Sequence, residues 1–122
     1  MYLEDIKELT KENSYFRRVL HTGEHSQVVA MSIPRSGDIG MESHTSTDQI
    51  LVIVHGEGDV IINDEKKSFE KHDVIFVPAG ATHNFINTGE DDLKLFTIYA
   101  PPEHANGTIH KTKEDAELAE KK

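Results

Sequence analysis

The sequence contains no cysteine. A chain without thiols forms no disulfide, holds no zinc through thiolates and uses no cysteine nucleophile. Basic residues are also few, with 13 Lys plus Arg against 22 Asp plus Glu and a formal net charge of -9. Because nucleic-acid binding depends on clustered Lys and Arg, this balance argues against DNA or RNA as a partner.

Long apolar runs are absent as well, and none in the sequence could span a bilayer. The N-terminal stretch "MYLEDIKELTKEN" is acidic and amphipathic. It has neither the basic n-region nor the apolar h-region of a signal peptide. We therefore predict a cytoplasmic protein without a membrane partner.

The 122 residues suffice for one domain with a single core, so we predict one domain over residues 1–122. The helical spacing of Leu3, Ile6 and Leu9 predicts an amphipathic helix over about residues 2–12. Residues from about 101 to 121 are predicted to form an irregular strap followed by a helix. Thr112 is the candidate N-cap of that helix.

The central part of the chain, about residues 15–100, is predicted to be the barrel core of an all-β protein. Short runs rich in Val, Ile, Phe and Leu alternate there with turn residues. This pattern favours a β-sandwich or barrel over alternating β-α units. The predicted strands include "SQVVAMSI", "MESHTS", "QILVIV", "DVIFVP", "HNFIN" and "LKLFTIYA".

Polar residues that could bind a metal occur at three places in this β-rich region. If "MESHTS" is a strand, Glu42 and His44 project to the same side. Asp48 and Gln49 begin the next strand, and His83 begins a later one. Imidazoles suit Zn, Fe, Ni and Cu, and a carboxylate supplies charge balance. A single strand histidine is more often a hydrogen-bonded structural residue, so a purely structural polar cluster stays an alternative.

Two sequence motifs resemble those of the cupin superfamily. "HDVIFVPAGATHNFIN" is similar to the second cupin motif, G-x5-P-x-G-x2-H-x3-N, with His83 and Asn87 in frame and His72 in place of the first glycine. "GMESHTSTDQILVIVHG" keeps the frame of the first motif, G-x5-H-x-H-x3,4-E-x6-G. It has Glu42 at the first histidine position and Gln49 at the glutamate position.

The resemblance implies a single-domain cupin, a jelly-roll or double-stranded β-helix barrel with short terminal helices. The whole chain looks like the small single-domain microbial cupins that are loosely related to phosphomannose isomerases. By position, the resemblance implies a divalent metal (Zn, Mn, Fe or Ni) held by Glu42, His44, Gln49 and His83. Asp48 is an alternative ligand if its strand is bulged. The resemblance further implies a small-molecule ligand and a homodimer.

Other residues are assigned to the barrel lining, the pocket or the outer face. We expect Leu51, Ile53, Phe76 and Phe85 to line the barrel. Alternation in "LKLFTIYA" places Phe96 and Ile98 outward with Lys94, as a partner surface. Tyr99 then faces inward.

The strap that follows this strand could form part of the pocket. If the strap acts as a lid, His104 or His110 contacts substrate, although a rigid strap is the preferred interpretation. The candidate pocket residues are Asp48, Phe85, Tyr99 and His104.

The predicted function is that of a metal-dependent enzyme acting on a small polar molecule such as a sugar or sugar phosphate, in an isomerase-like reaction. Glu42 is the candidate general base. A phosphate substrate predicts basic residues at the pocket mouth, for which Arg17, Arg18 and Arg35 are candidates. Alternatives are a non-haem iron dioxygenase, since two histidines and a carboxylate match its ligand set, and a non-catalytic small-ligand binding module.

Overall fold

A computed structural model describes residues 1–120 of the chain. Within this range the fold is mostly β, as the sequence predicts, with a short helix at each end. The elements are, in chain order, α1 (Ile6–Glu12), β1 (Arg17–Thr22), β2 (Gln27–Ile33), β3 (Asp48–His55), β4 (Glu57–Ile62), β5 (Glu65–Glu70), β6 (Val74–Val77), β7 (His83–Asn87), β8 (Leu93–Ala100), β9 (Ile109–His110) and α2 (Lys113–Glu120).

The strands form two antiparallel sheets that face each other. The larger sheet has the order β6-β3-β8-β2-β1-β9, and the smaller has the order β5-β4-β7. β8 lies inside the larger sheet and alternates between buried and half-buried residues along its length. Leu95, Thr97 and Tyr99 therefore face the interior, and Phe96 and Ile98 face outward. This orientation agrees with the one predicted from the alternation.

The hydrophobic core fills the space between the two sheets. Side chains from both sheets contribute, and the largest fully buried ones include Phe85 from the small sheet and Met31 and Leu95 from the large sheet. Ala116 joins this core from α2. The barrel is consequently packed along most of its length.

Local signals near the two helices explain where they begin. The Asp5 carboxylate accepts a hydrogen bond from the Glu8 amide at 3.1 Å, so α1 starts at Ile6 instead of near residue 2. Thr112 caps α2 as expected, since its hydroxyl accepts from the Asp115 amide at 3.1 Å. Neither helix of residues 1–120 is long and apolar enough to cross a membrane.

The strap of residues 101–112 returns along the barrel before α2 begins. The Gln27 side chain holds it by donating to the His104 carbonyl at 2.7 Å and accepting from the His104 amide at 3.1 Å. Further along, β9 pairs with β1, which aligns Arg17 with His110. These contacts hold the strap against the barrel.

One predicted lining residue faces outward, and one turn residue keeps the backbone shape of the glycine that it replaces. Phe76 is 54% exposed, so the prediction that it lines the barrel is wrong. β6 buries Val77 instead, and strand alternation then turns Phe76 outward. His72, where the resembled motif has glycine, adopts a left-handed backbone with φ 80°. The turn therefore keeps the glycine-type conformation despite carrying a side chain.

Gly58 in β4 is required by close packing between the small-sheet strands. A Cβ atom at this position would lie 2.1 Å from the Ile86 carbonyl oxygen and 2.6 Å from Phe69 Cζ. We expect Gly58→Ala to lower the free energy of unfolding by about 1–3 kcal/mol, because the strands must separate to admit the methyl group. Urea unfolding measures this loss. Gly23→Ala is the matched control, since its Cβ meets only Ser26 O at 3.4 Å; equal stability losses in both variants would contradict the packing argument.

Candidate metal centre

Glu42 and His83 are brought together by their backbones. The Glu42 amide donates to the His83 carbonyl at 2.9 Å, and the His83 amide donates to the Glu42 carbonyl at 2.8 Å. This isolated bridge joins the loop before β3 to the first residue of β7. Because both side chains leave neighbouring backbone positions, they enter the barrel beside each other.

His44 reaches the same place from a loop and not from a strand. The prediction that "MESHTS" forms a strand is wrong, since only Glu42 in this stretch makes a β-bridge. The stretch is held instead by the turn at residues 78–80, where the Gly80 amide donates to the His44 carbonyl at 2.8 Å. The loop nevertheless places the His44 side chain on the same side as Glu42.

The three side chains converge on one point. Glu42 Oε1 lies 3.7 Å from His44 Nε2 and 3.9 Å from His83 Nε2. One ligand atom from each residue can be chosen so that all three lie within 4.8 Å of one another. His83 is 1% exposed, and both Nε2 atoms are buried without a hydrogen-bond partner. Buried polar atoms without partners are rare, and here a cation would satisfy both nitrogens, so the residues fit a metal ion.

Each imidazole is oriented through its other nitrogen. His83 Nδ1 lies 3.0 Å from the Ala81 carbonyl oxygen, and His44 Nδ1 lies 3.0 Å from Glu103 Oε1. Both oxygens are acceptors, so each ring carries a proton on Nδ1, and the neutral form of each ring presents the Nε2 lone pair to the shared point. Histidines that bind metal usually have such a partner on the second nitrogen.

Glu103 is a site residue that the sequence reasoning missed. It lies in the strap, 59 positions after His44 by the numbering, and no motif spacing connects the two. Its other carboxylate oxygen accepts from the Thr47 hydroxyl at 3.1 Å, which fixes the carboxylate in place. The only signal in the sequence was an acidic residue beside the two prolines of the strap.

Gln49 is linked to the three converging residues through a tyrosine. Its Nε2 donates to the Tyr99 hydroxyl at 3.2 Å, and its Oε1 is buried without a partner. The Tyr99 ring in turn contacts the His44 ring edge-on, with centroids 5.8 Å apart. The free amide oxygen is the atom by which Gln49 would complete a ligand set.

Asp48 and Phe85 have mainly structural surroundings. Asp48 Oδ1 accepts from the Ala79 amide at 2.9 Å, so its carboxylate caps the turn at residues 78–80. The Asp48 side chain therefore contacts the same turn that binds the His44 carbonyl. It is not among the three converging residues. Phe85 is fully buried and packs edge-on against His83 and Phe69, as part of the barrel lining.

Tyr99 and His104 form an uncharged wall beside the three residues. Their rings contact edge-on at 5.1 Å. Burial raises the pKa of Tyr99 above its usual value. Burial, assisted by the positive charge of Arg17, lowers the pKa of His104 to about 3. Both side chains are accordingly neutral near pH 7, and His104 Nε2 is buried without a partner.

The electrostatics of the three residues favour a cation. Burial alone would raise the pKa of Glu42, but the nearby His44 and Arg17 outweigh it and the pKa is lowered, so this carboxylate is ionised at neutral pH. Proximity to Glu42, together with Glu103, raises the pKa of His44 against the opposing effect of burial. Two carboxylates therefore make the point between the imidazoles negative, which attracts a positive ion.

Of the three arginines considered as pocket residues, only Arg17 points into the barrel. It is 2% exposed, and its Nη1 lies 3.2 Å from His110 Nδ1. Arg18 and Arg35 are exposed. Alternation along β1 explains the difference between the two neighbours, because successive side chains point to opposite faces.

Comparisons with known proteins give one matching family and several similar proteins. The cupin domain family matches residues 29–99. The uncharacterized protein YrkC of Bacillus subtilis is 46% identical, over 98% of this chain and 67% of its own length. The crystal structure of BH2720 from Bacillus halodurans is 41% identical, covers 96% of this chain and 93% of its own, and has a TM-score of 0.95. A predicted oxalate decarboxylase from Thermotoga maritima is 26% identical, with a TM-score of 0.60 over 63% of this chain and 67% of its own.

We expect His83→Ala to weaken zinc binding by at least about 100-fold, because it removes one of three converging ligand atoms. Isothermal titration calorimetry on the metal-free protein measures the affinity. Glu103→Gln keeps all three ligand atoms and should weaken binding by only about 10- to 100-fold. His25→Ala, whose side chain is 89% exposed, is the control and should bind as the wild type does. Unchanged zinc affinity in His83→Ala would exclude the site.

Proposed function

The chain belongs to the cupin domain family, and we propose that it is a metal-dependent enzyme acting on a small polar molecule such as a sugar or sugar phosphate. The observation that carries the proposal is the convergence of Glu42, His44 and His83, with both Nε2 atoms buried and unpartnered. A site built only for stability would give these nitrogens hydrogen-bond partners. We assign Glu42, His44 and His83 as ligands and Gln49 as a fourth through its free Oε1.

When bound, a divalent ion supplies Lewis acidity that polarises a substrate carbonyl or stabilises an enediolate. The chain itself supplies the groups that handle protons. Glu42 has two carboxylate oxygens, is ionised because its pKa is lowered, and is therefore able to accept a proton. A lowered pKa also makes it a weak base, so its role requires a substrate C–H bond that is already activated.

Tyr99 and His104 are the proposed substrate contacts. The Tyr99 hydroxyl accepts from Gln49 and keeps its own proton, because burial raises its pKa. It can consequently donate a hydrogen bond to a substrate oxygen. His104 is neutral and has a free buried Nε2, which accepts or donates according to its tautomer.

An isomerase-type reaction is tested by hydrogen exchange into candidate substrates. Metal-loaded protein is incubated with aldoses, ketoses and their phosphates in D2O, and proton NMR follows deuterium entry beside the carbonyl. We expect Glu42→Gln to slow the exchange by about 10²- to 10⁴-fold at equal metal occupancy, since it removes the proton acceptor. Glu24→Gln, with a side chain 87% exposed, should exchange at the wild-type rate.

A non-haem iron dioxygenase is the second candidate function. It is favoured by the donor set, since two histidines and one carboxylate leave coordination positions open as in iron oxygenases. The same samples decide between the two, because an oxygenase consumes O2 with iron and substrate, whereas an isomerase exchanges deuterium without oxygen. Full metal occupancy with neither activity would contradict both and favour a binding module.

We also propose that the chain forms a homodimer through the outer face of the large sheet. Cross-strand neighbours form an apolar row of Phe76, Ile50, Ile98 and Val28 on this face. β6 is an edge strand of this sheet and leaves Val74 65% exposed next to the row. The row contains no carboxylate, so two copies of this acidic chain can meet there without opposing like charges.

The dimer is tested by sedimentation velocity. We expect Phe76→Glu to convert the dimer to a monomer, because it places a negative charge opposite its symmetry mate in an apolar contact. Leu118→Glu is the matched control, because Leu118 lies on α2, outside the row, and is 61% exposed. This variant introduces the same charge and should remain dimeric. A wild-type protein that sediments as a monomer at micromolar concentration would contradict the proposal.

A further inference from the structure

Arg17 is a buried cation whose charge is not neutralised by a contacting carboxylate. Its side chain is 2% exposed, and its Nε is buried without a hydrogen-bond partner. None of the salt bridges formed within residues 1–120 includes Arg17. Its hydrogen-bonding contact at Nη1 is with a neutral acceptor, His110 Nδ1 at 3.2 Å.

Such an arrangement is costly in free energy. A guanidinium cannot discharge itself by losing a proton at ordinary pH, so its burial must be offset by partners. Buried charges in proteins are therefore usually paired with an opposite charge. The Phe16 ring lies 5.4 Å from the guanidinium and Glu42 is close enough to feel its charge, but the Nε–H stays available as a donor to an anionic ligand.

The surroundings of Arg17 show where that anion would bind. Arg17 and Glu42 line the same cavity, of about 110 Å³, together with Phe16 and Gly40. The charge of Arg17 lowers the pKa of Glu42, and it also affects Tyr99 and His104. The guanidinium is thus close to the proposed metal centre and to the proposed substrate contacts.

The charge count favours a carboxylate over a phosphate. Lys113 also lines the cavity, but it is already paired with Asp38. Arg17 is then the cation of this cavity without a contacting carboxylate, although Glu42, Glu117 and Glu120 also line the cavity. These carboxylates repel a phosphate dianion more strongly than a carboxylate monoanion, and a dianion would also need more donors and a second cation. The planar guanidinium also matches the two oxygens of a carboxylate in a fork-to-fork contact.

We propose that Arg17 binds the carboxylate of a small carboxylic acid substrate beside the metal centre. The proposal rests on the proposed function and narrows its substrate class from small polar molecules to carboxylates. A carboxylate on Arg17 leaves the adjoining oxygen-bearing carbon near Glu42, the proton acceptor. Arg17 thereby selects the substrate and sets its orientation.

The first test observes the guanidinium directly in the zinc-loaded wild type. The probes are glycolate, its neutral analogue ethylene glycol, and inorganic phosphate. The Arg17 Nε–H signal in proton–nitrogen NMR spectra is assigned by its loss in Arg17→Lys. We expect glycolate to shift this signal with saturation and ethylene glycol to leave it unmoved. A signal unmoved by glycolate would overturn the proposal, as would phosphate binding tenfold more tightly than glycolate.

The second test compares affinities among variants. We expect Arg17→Gln to bind glycolate about 10- to 100-fold more weakly, since it loses a charge-assisted contact. Arg17→Lys keeps the charge without the fork and should lie between Arg17→Gln and the wild type. Arg18→Gln is the matched control, because it makes the same change at the exposed neighbour on β1. Glycolate affinity equal in Arg17→Gln and Arg18→Gln would overturn the proposal.

Zinc content, measured on the same samples, separates this inference from the proposed function. Glycolate binding that depends on Arg17 in a protein holding no zinc would support the carboxylate site and contradict the metal-dependent enzyme. Full zinc occupancy with glycolate binding that is indifferent to Arg17 would overturn the carboxylate site alone.

Discussion

The candidate site depends on two reciprocal hydrogen bonds between the backbones of Glu42 and His83. They join the long loop before β3 to the start of β7, at 2.9 and 2.8 Å, and so bring a carboxylate beside an imidazole. Backbone bonds do not depend on side-chain rotamers, so the two residues that carry the ligand atoms have a defined backbone spacing before any ion binds. His44 is then added through the bond from the Gly80 amide, so one turn serves both motifs.

Several polar side chains in the barrel have buried atoms without hydrogen-bond partners, which lowers the stability of the fold. His44, His83, Gln49 and Arg17 each leave a buried nitrogen or oxygen without a partner. A core of apolar residues would avoid these penalties, and natural proteins keep such groups mainly where activity needs them. The strap contacts this cluster twice, since Glu103 Oε1 lies 3.0 Å from His44 Nδ1 and the His104 ring packs edge-on against Tyr99.

Short-range patterns in the sequence predicted the fold and part of the site. The β-rich runs and the Thr112 cap of α2 are confirmed, because turn residues, caps and two-residue alternation act locally. The cupin fold that the resemblance of the two motifs implied is confirmed as well. The ligand assignment of Glu42, His44 and His83 stays a prediction whose geometry now supports it. The errors occurred where tertiary contacts override local preference, as at "MESHTS", which is a loop held by Gly80, and at Phe76, which β6 turns outward.

By itself, the sequence determined the class of fold, the cupin motifs and the residue types available for a metal, since these follow from composition and from spacing along the chain. Only the tertiary structure decided which polar residues meet. It directed Asp48 to a turn and Gln49 to Tyr99, and it brought Glu103 to His44 and Arg17 to the cavity of Glu42. These contacts join residues that are far apart in the chain, and their geometry is set by sheet register and strap attachment, which no local pattern encodes.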